Sequence, residues 1–266
     1  MIIQDVINYL EELAPLAYAE DFDNVGLLVG HKNTEVTSVL VTLDTLENVV
    51  DEAIAKKCNL IVSFHPIIFN GLKKLTGKNY VERVVMKAIK HDIAIYAIHT
   101  ALDNAIQGVN DMICNQLKLT NKRILIPQSE TIKKLTTYVP KNEAEQLRTA
   151  LFGIGAGSIG NYKHCSFNVE GYGTFNANED SNPVKGKKGE THIEDETKIS
   201  ITFPKHIESQ VIKTLFKTHS YEEVAYEITT LENKNQNIGM GMVGELSEPM
   251  DERSFLKYLK AKMNTE

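Results

Sequence analysis

Three short runs in this chain are apolar almost from end to end: SVLVTLD (Ser38 to Asp44), NLIVSF (Asn59 to Phe64) and IAIYAIH (Ile93 to His99). Helical texture separates them, in LENVVDEAIAKK (Leu46 to Lys57) and YVERVVMKAIKHD (Tyr80 to Asp92), and follows them in GVNDMICNQLKL (Gly108 to Leu119) before the further strand RILIP. A strand that is apolar throughout, rather than alternating, is buried on both faces. Such strands joined by helices specify a parallel sheet covered on both sides. An amphipathic helix precedes them, with Ile3, Val6, Ile7, Leu10 and Leu13 on one face and Pro15 ending it. Asp44 or Thr45 is placed to cap the helix that starts near Leu46.

This architecture says where to look for function. Ligands of parallel sheets collect beyond the carboxyl ends of the strands. His65 directly follows the second run and His99 closes the third, with Asp103 four residues further on. These three residues therefore share one candidate crevice.

After about Gln128 the texture changes. KKLTTYVP alternates as a half-buried strand, and NEAEQLRTALFGIGAGSIG reads as a helix entering a glycine-rich turn. CSFNVEGYGTF is a strand, Asn176 to Glu194 a long polar loop, TKISITFP a strand, HIESQVIKTLFKTH a helix and EEVAYEITTL a strand. The order βαββαβ describes a ferredoxin-like unit. GMGMVGELSEP and a final helix, Asp251 to Met263, then return to the first style. The expected organisation is an α/β domain built from residues 1–127 and 236–266, interrupted by an α+β insert at 128–235. A single strand and helix make a short second lobe, which reads as a chain cut inside its second half.

Composition removes several classes. A net charge of -6 supplies no broad basic face, which argues against a general nucleic-acid binder. No apolar run reaches the roughly 18 residues of a membrane span. The amino-terminal helix is acidic and is not a signal peptide. Cys58, Cys114 and Cys165 form no CxxC pair, which excludes a cysteine zinc site and fits a reducing cytoplasm.

The chemistry of the crevice residues is that of a divalent-metal site. His65 and Asp103 offer one nitrogen and one oxygen ligand, and His99 can ligate or can orient a ligand. The plain alternative is a histidine that merely precedes a turn. GIGAGSIG (Gly153 to Gly160) has a helix before it and a strand after it, the reverse of a phosphate-binding loop. GMGMVGE reads as a glycine-rich turn entering a strand. No serine sits in a G-x-S-x-G elbow, so a hydrolase triad has no anchor. His164, His192, His206 and His219 read as surface or packing residues. HSYEEVAYE (His219 to Glu227) could bind metal but reads better as a solvated turn.

Four motifs taken together, DFDNVGLLVG (Asp21 to Gly30), SFHPIIF (Ser63 to Phe69), IHTALDN (Ile98 to Asn104) and GMGMVGEL (Gly239 to Leu246), resemble the Nif-three-like family. That family is also labelled GTP cyclohydrolase 1 type 2 homologue, or dinuclear metal centre hexameric protein. The resemblance runs over essentially the whole chain. The segment at 128–235 is similar to the PII-like or CutA-like insert of its longer bacterial members.

The resemblance implies an α/β metal-binding domain in two related halves, assembled as a toroidal homohexamer with metal sites facing an inner cavity. The family's strand-end motif is Ser-His-His-Pro, both histidines being ligands of a two-metal centre. Ser63, Phe64, His65 and Pro66 stand there, so His65 matches the second histidine and Phe64 replaces the first. Asp103 matches a bridging aspartate. The remaining family ligands, a histidine and a glutamate four residues apart, come from a segment beyond Glu266, which implies that this chain lacks that segment. The expected cofactor is zinc, manganese or iron, and the expected location is the cytoplasm. Two functions follow. One is a metal-dependent hydrolase of an unknown small-molecule substrate, such as a phosphate ester, an amide or a purine ring. The other is a non-enzymatic metal-binding scaffold whose insert senses a ligand.

Overall fold

In the computed structural model, which describes residues 1–265, the chain divides into two compact units, Met1–Pro127 with Gln236–Glu266, and Gln128–Asn235. The first unit opens with α1 (Ile3–Leu13), β1 (Gly26–Val29), β2 (Val39–Thr42), α2 (Glu47–Ala55) and β3 (Leu60–Ser63). It continues through α3 (Tyr80–Lys90), β4 (Ala94–Ala97), α4 (His99–Asn104), α5 (Val109–Gln116) and β5 (Thr120–Gln128). The second unit holds β6 (Ile132–Pro140), α6 (Ala144–Gly153), β7 (Phe167–Asn176), β8 (Thr191–Pro204), α7 (Glu208–Thr218) and β9 (Tyr226–Leu231). The chain then returns through β10 (Asn235–Glu245) and α8 (Glu252–Met263).

The first unit is a mixed sheet in the order β1-β4-β3-β2. Strands β2, β3 and β4 run parallel and β1 pairs antiparallel with β4. All residues of β3 and β4 are buried. Their alternation splits two cores: Ile61 and Ile95 face Val50, Ala53, Val84 and Ala88 of α2 and α3, while Leu60, Val62 and Tyr96 face Ile3 and Ile7 of α1. Each buried aliphatic side chain contributes roughly 1.5–3 kcal/mol, so these two layers carry the unit. Gly30 makes the exit from β1 possible. Its φ is +98°, and a Cβ there would lie 2.7 Å from the Ala94 Cβ.

Several local expectations are corrected. SVLVTLD is not a buried strand: β2 is the sheet edge, and Val41 is 78% exposed. Neither Asp44 nor Thr45 caps α2, whose N-cap is Leu46 with no side-chain bond. RILIP does not join the parallel sheet, because β5 pairs with β10 in a separate two-stranded sheet. GMGMVGE is not a turn into a strand but the body of β10 itself, with Gly239 and Gly241 at positive φ.

The second unit has the sheet order β7-β8-β6-β9, antiparallel throughout, with α6 and α7 packed on one face. Strand β8 starts at Thr191, so the polar loop is shorter than the sequence suggests. The acidic stretch Glu194–Asp195–Glu196 has poor strand propensity, and pairing with β7 overrides it. No helix of the described residues is long and apolar enough to cross a membrane.

Two buried polar groups of the first unit have testable energetics. The Tyr96 hydroxyl is buried with no hydrogen-bond partner among the described residues. Burial, and then the charge of Glu11, push its pKa up. Removing an unsatisfied hydroxyl relieves its desolvation cost, so Tyr96→Phe should stabilise the fold by about 1 kcal/mol in chemical denaturation. A lower midpoint for the variant would mean that the hydroxyl has a partner.

Glu82 is buried at the start of α3 and accepts from the Thr76 amide (2.8 Å), the Lys78 amide (3.0 Å) and the Thr76 hydroxyl (2.9 Å). Its own amide donates to the Asn79 side chain at 2.8 Å, a reciprocal cap. The Thr76 and Lys78 amides, in that order, hold this carboxyl below the ordinary glutamate range. A lowered pKa stabilises the fold above the unfolded value, and that contribution is lost as pH falls through the folded value. Glu82→Gln should therefore lower the melting temperature more at pH 7 than at a pH well below the ordinary glutamate range. An equal gap at both pH values would contradict a charge effect.

Candidate metal centre

Backbone bonds continue past the carboxyl ends of the three parallel strands and hold those ends together. The Phe64 amide donates to the Thr42 carbonyl (3.0 Å) and the His65 amide to the Leu43 carbonyl (2.9 Å). The Ile98 amide donates to the Ser63 carbonyl (3.1 Å) and the His99 amide to the Phe64 carbonyl (3.0 Å). This lacing sets Asp44, His65 and His99, one from each strand end, side by side. The Ser63 hydroxyl donates to the His65 carbonyl at 3.0 Å and fixes the turn into Pro66.

His99 is the first residue of α4 and has a φ of +26°. This conformation is uncommon for a residue with a Cβ, and it lets the chain turn from β4 directly into the helix. Asp103 lies four residues on, one helical turn away on the same face.

Each histidine is paired with a carboxylate. His65 Nδ1 and Asp44 Oδ1 are 2.8 Å apart, and His99 Nδ1 and Asp23 Oδ1 are also 2.8 Å apart. An ionised carboxylate can only accept, so each Nδ1 carries a proton, and in the neutral ring Nε2 is the nitrogen with a lone pair to offer. Metal-ligating histidines are oriented by this same kind of bond. The two rings meet edge to face with centroids 5.3 Å apart.

The two pairs differ in setting. His65 and Asp44 have side chains 45% and 51% exposed, whereas Asp23 is fully covered. Asp23 also accepts from the Thr100 amide (3.1 Å), the Thr100 hydroxyl and the Asn24 amide (2.8 Å). Burial pushes the Asp23 carboxyl up, but the bonds from His99 and Thr100 outweigh it and hold the group below its usual range. Asp103 goes the other way. Burial raises its pKa and outweighs the opposing influence of His99 and His65, while Asp23 adds to the rise.

Phe64 packs beside both histidines, the three rings forming a near-equilateral triangle. Its ring centroid is 5.0 Å from that of His65 and 5.4 Å from that of His99, and it packs partly into the core under α1. Among the described residues, no group of three or more histidine, cysteine, aspartate or glutamate side chains converges closely enough to hold a metal ion. The residues present supply the donor chemistry of a metal site without closing a coordination shell.

Asp23 and Asp44 were missed by sequence reasoning. Asp44 follows β2 as His65 follows β3, so the strand-end rule that picked out His65 applies to it equally. The remaining motifs are structural. His219 uses both ring nitrogens on backbone, Nε2 at 2.8 Å from the Tyr138 carbonyl and Nδ1 accepting from the Tyr221 amide at 3.1 Å, so it is a buried packing residue rather than part of a solvated turn. His164 stacks on Phe152 and His192 pairs with Glu194. In GIGAGSIG, the Gly157 amide donates to the Thr202 carbonyl at 2.7 Å and anchors a turn onto β8.

Comparison with known proteins gives one consistent result. The family model described as Duf34/NIF3 (NGG1p interacting factor 3) matches residues 1–266. The chain is 42% identical over 262 residues to the GTP cyclohydrolase 1 type 2 homolog of Bacillus subtilis (strain 168), covering 98% of this chain and 70% of that protein. A Bacillus cereus protein related to NIF3 superposes with a TM-score of 0.83 at 39% identity, covering 99% of this chain and 71% of that one. A Staphylococcus aureus protein superposes with a TM-score of 0.71 at 32% identity, covering 99% and 69%.

Proposed function

Because the chain belongs to the Duf34/NIF3 family, we propose that it is a divalent-metal-binding protein whose ion lies between His65 and Asp103, with His99 as a further ligand or as an orienting neighbour. One observation carries this reading: two neighbouring histidines at adjacent strand ends each give Nδ1 to a carboxylate and keep Nε2 free. Zinc, manganese and iron all suit such imidazole and carboxylate donors. The bound ion would supply Lewis acidity. The residues of this chain would orient it, through Asp44 on His65 and Asp23 on His99, with Phe64 shielding one side from water.

The reaction class proposed is hydrolysis of a small molecule. The relatives' name, GTP cyclohydrolase 1 type 2 homolog, supports a hydrolase. No side chain at the site selects GTP. The second reading is a non-enzymatic metal-binding scaffold, favoured by Phe64 standing where the family resemblance puts a second histidine, which leaves too few ligands for two-metal catalysis. In both readings the second unit is a PII-like, ferredoxin-like insert, supported by its βαββαβ order and its strand order. The working assembly is a cytoplasmic homohexamer.

A screen of phosphate esters, amides and nucleotides, with and without added zinc or manganese, separates the two readings. Metal-dependent turnover abolished by His65→Ala supports the hydrolase. Metal uptake without turnover supports the scaffold, and no uptake by either metal rejects both.

A further inference from the structure

The strongest feature outside the metal centre lies wholly within the second unit, on the sheet face opposite α6 and α7. A cavity of about 650 Å³ opens there, floored by β7 and β8. The loop carrying Pro183 and Val184 forms its roof, and the segment from Tyr221 to Ala225 closes its side. Its volume is that of a small-molecule site.

The cavity is built around one carboxylate. Glu196 is 9% exposed, and its Oε1 accepts from the Tyr221 hydroxyl at 2.8 Å. Oε2 lies against Gly173, where a Cβ would sit 2.2 Å from it, so only glycine lets the carboxylate take this place. Tyr221 is in turn held by His219, whose Nδ1 accepts the Tyr221 amide and whose ring centroid lies 5.0 Å from the tyrosine ring. Burial first, and then the bond to Glu196, push the Tyr221 pKa up, so the hydroxyl stays a donor. The roof is tied down by the Asn182 amide, which donates to Glu222 at 2.8 Å.

The walls and floor suit a flat ring. Tyr138, Phe175 and Tyr221 line the space, and Phe175 and Tyr221 lie with ring centroids 6.1 Å apart. Gly171 pairs with Glu196 in the sheet, and a Cβ there would meet nothing within 4 Å. Packing does not demand that glycine; its effect is to leave the floor bare, so that a planar ligand can lie on the backbone. Rings stack on aromatic walls whatever their identity, and a buried carboxylate selects those with an exocyclic amine over uracil, whose N–H is flanked by two carbonyl oxygens that repel it. Among the lining residues, Glu222 and Glu223 join Glu196 and outnumber Lys185 and Lys198, and Lys185 is itself paired with Glu194 at 3.3 Å, which disfavours a phosphorylated ligand.

We infer that this cavity binds an uncharged, nucleoside-sized molecule whose planar nitrogen heterocycle donates an exocyclic amine to Glu196 while stacking on the tyrosine and phenylalanine walls. The site does not depend on the metal reading. Calorimetric titration of the whole chain with adenosine, cytidine, uridine and ATP tests it. Adenosine or cytidine should bind with a submillimolar Kd, at least tenfold tighter than uridine, which lacks the amine, and at least tenfold tighter than ATP. Glu196→Gln should weaken that binding at least tenfold, and His65→Ala should leave it unchanged. Val184→Arg, on the exposed roof, blocks the mouth without touching the strands and should abolish binding even if Glu196→Gln misfolds. The inference is overturned if neither amine-bearing nucleoside binds below millimolar concentration, if uridine or ATP binds equally well, or if Val184→Arg has no effect.

Discussion

Phe64→His should tighten zinc binding by about a hundredfold or more while lowering the stability of the metal-free protein. The phenylalanine ring stands about as far from His65 and His99 as those two rings stand from each other, at 5.0 and 5.4 Å against 5.3 Å. An imidazole in its place adds a nitrogen donor to a site that has too few. Loss of a group that merely orients a ligand costs about 10–100-fold in metal affinity, so gain of a ligand should exceed that. The cost is apolar packing: Phe64 is partly buried against the α1 core, and its replacement should destabilise the apo fold by about 1–2 kcal/mol. The two effects have opposite signs. Melting curves should show the variant below the parent without zinc and above it with zinc in excess, because ligand binding to the folded state adds stability by mass action. If calorimetry gives the same zinc affinity for both chains, the histidine pair does not form a metal centre.

The second large effect concerns Asp23. Its carboxylate receives four donors, from His99 Nδ1, the Thr100 amide and hydroxyl, and the Asn24 amide. Asp23→Ala leaves those donors unmatched in a covered site, and should cost about 3 kcal/mol in denaturant unfolding. Asp23→Asn keeps the shape and most of the stability, but its amide serves fewer of the donors and no longer fixes the His99 tautomer. Zinc affinity should still fall by about tenfold or more. Asp44 provides the contrast. Its pair with His65 has both side chains about half exposed, so Asp44→Ala should cost no more than about 1 kcal/mol. Equal losses at the two aspartates would show that burial does not distinguish them.

Much of the first unit was legible because its signals are local. Apolar runs at Leu60–Ser63 and Ala94–Ala97 mark strands buried on both faces, and the spacing of Ile3, Val6, Ile7 and Leu10 marks a one-sided helix. The turn at His65-Pro66 and the strand-end rule then nominate a site. In the second unit, alternation within KKLTTYVP and the regular succession of elements gave the order of strands and helices, while Thr191–Glu194 was lost to the loop because its strand character comes only from β7 across the ladder.

What residues 1–266 determined by themselves is the set of elements, the break in texture near Gln128 and the donor chemistry of His65, His99 and Asp103, since side-chain period and residue type are properties of the local chain. Tertiary structure alone decided the rest. It made β2 an exposed edge, put β1 antiparallel beside β4, and sent β5 to pair with β10 across more than a hundred residues of chain. It also recruited Asp23, 76 positions from His99 in sequence, to orient that ring. The physical reason is common to all of these. A backbone ladder or a buried carboxylate–imidazole bond takes its energy from a partner, and which partner arrives is set by the packing of both cores rather than by the residues on either side of it.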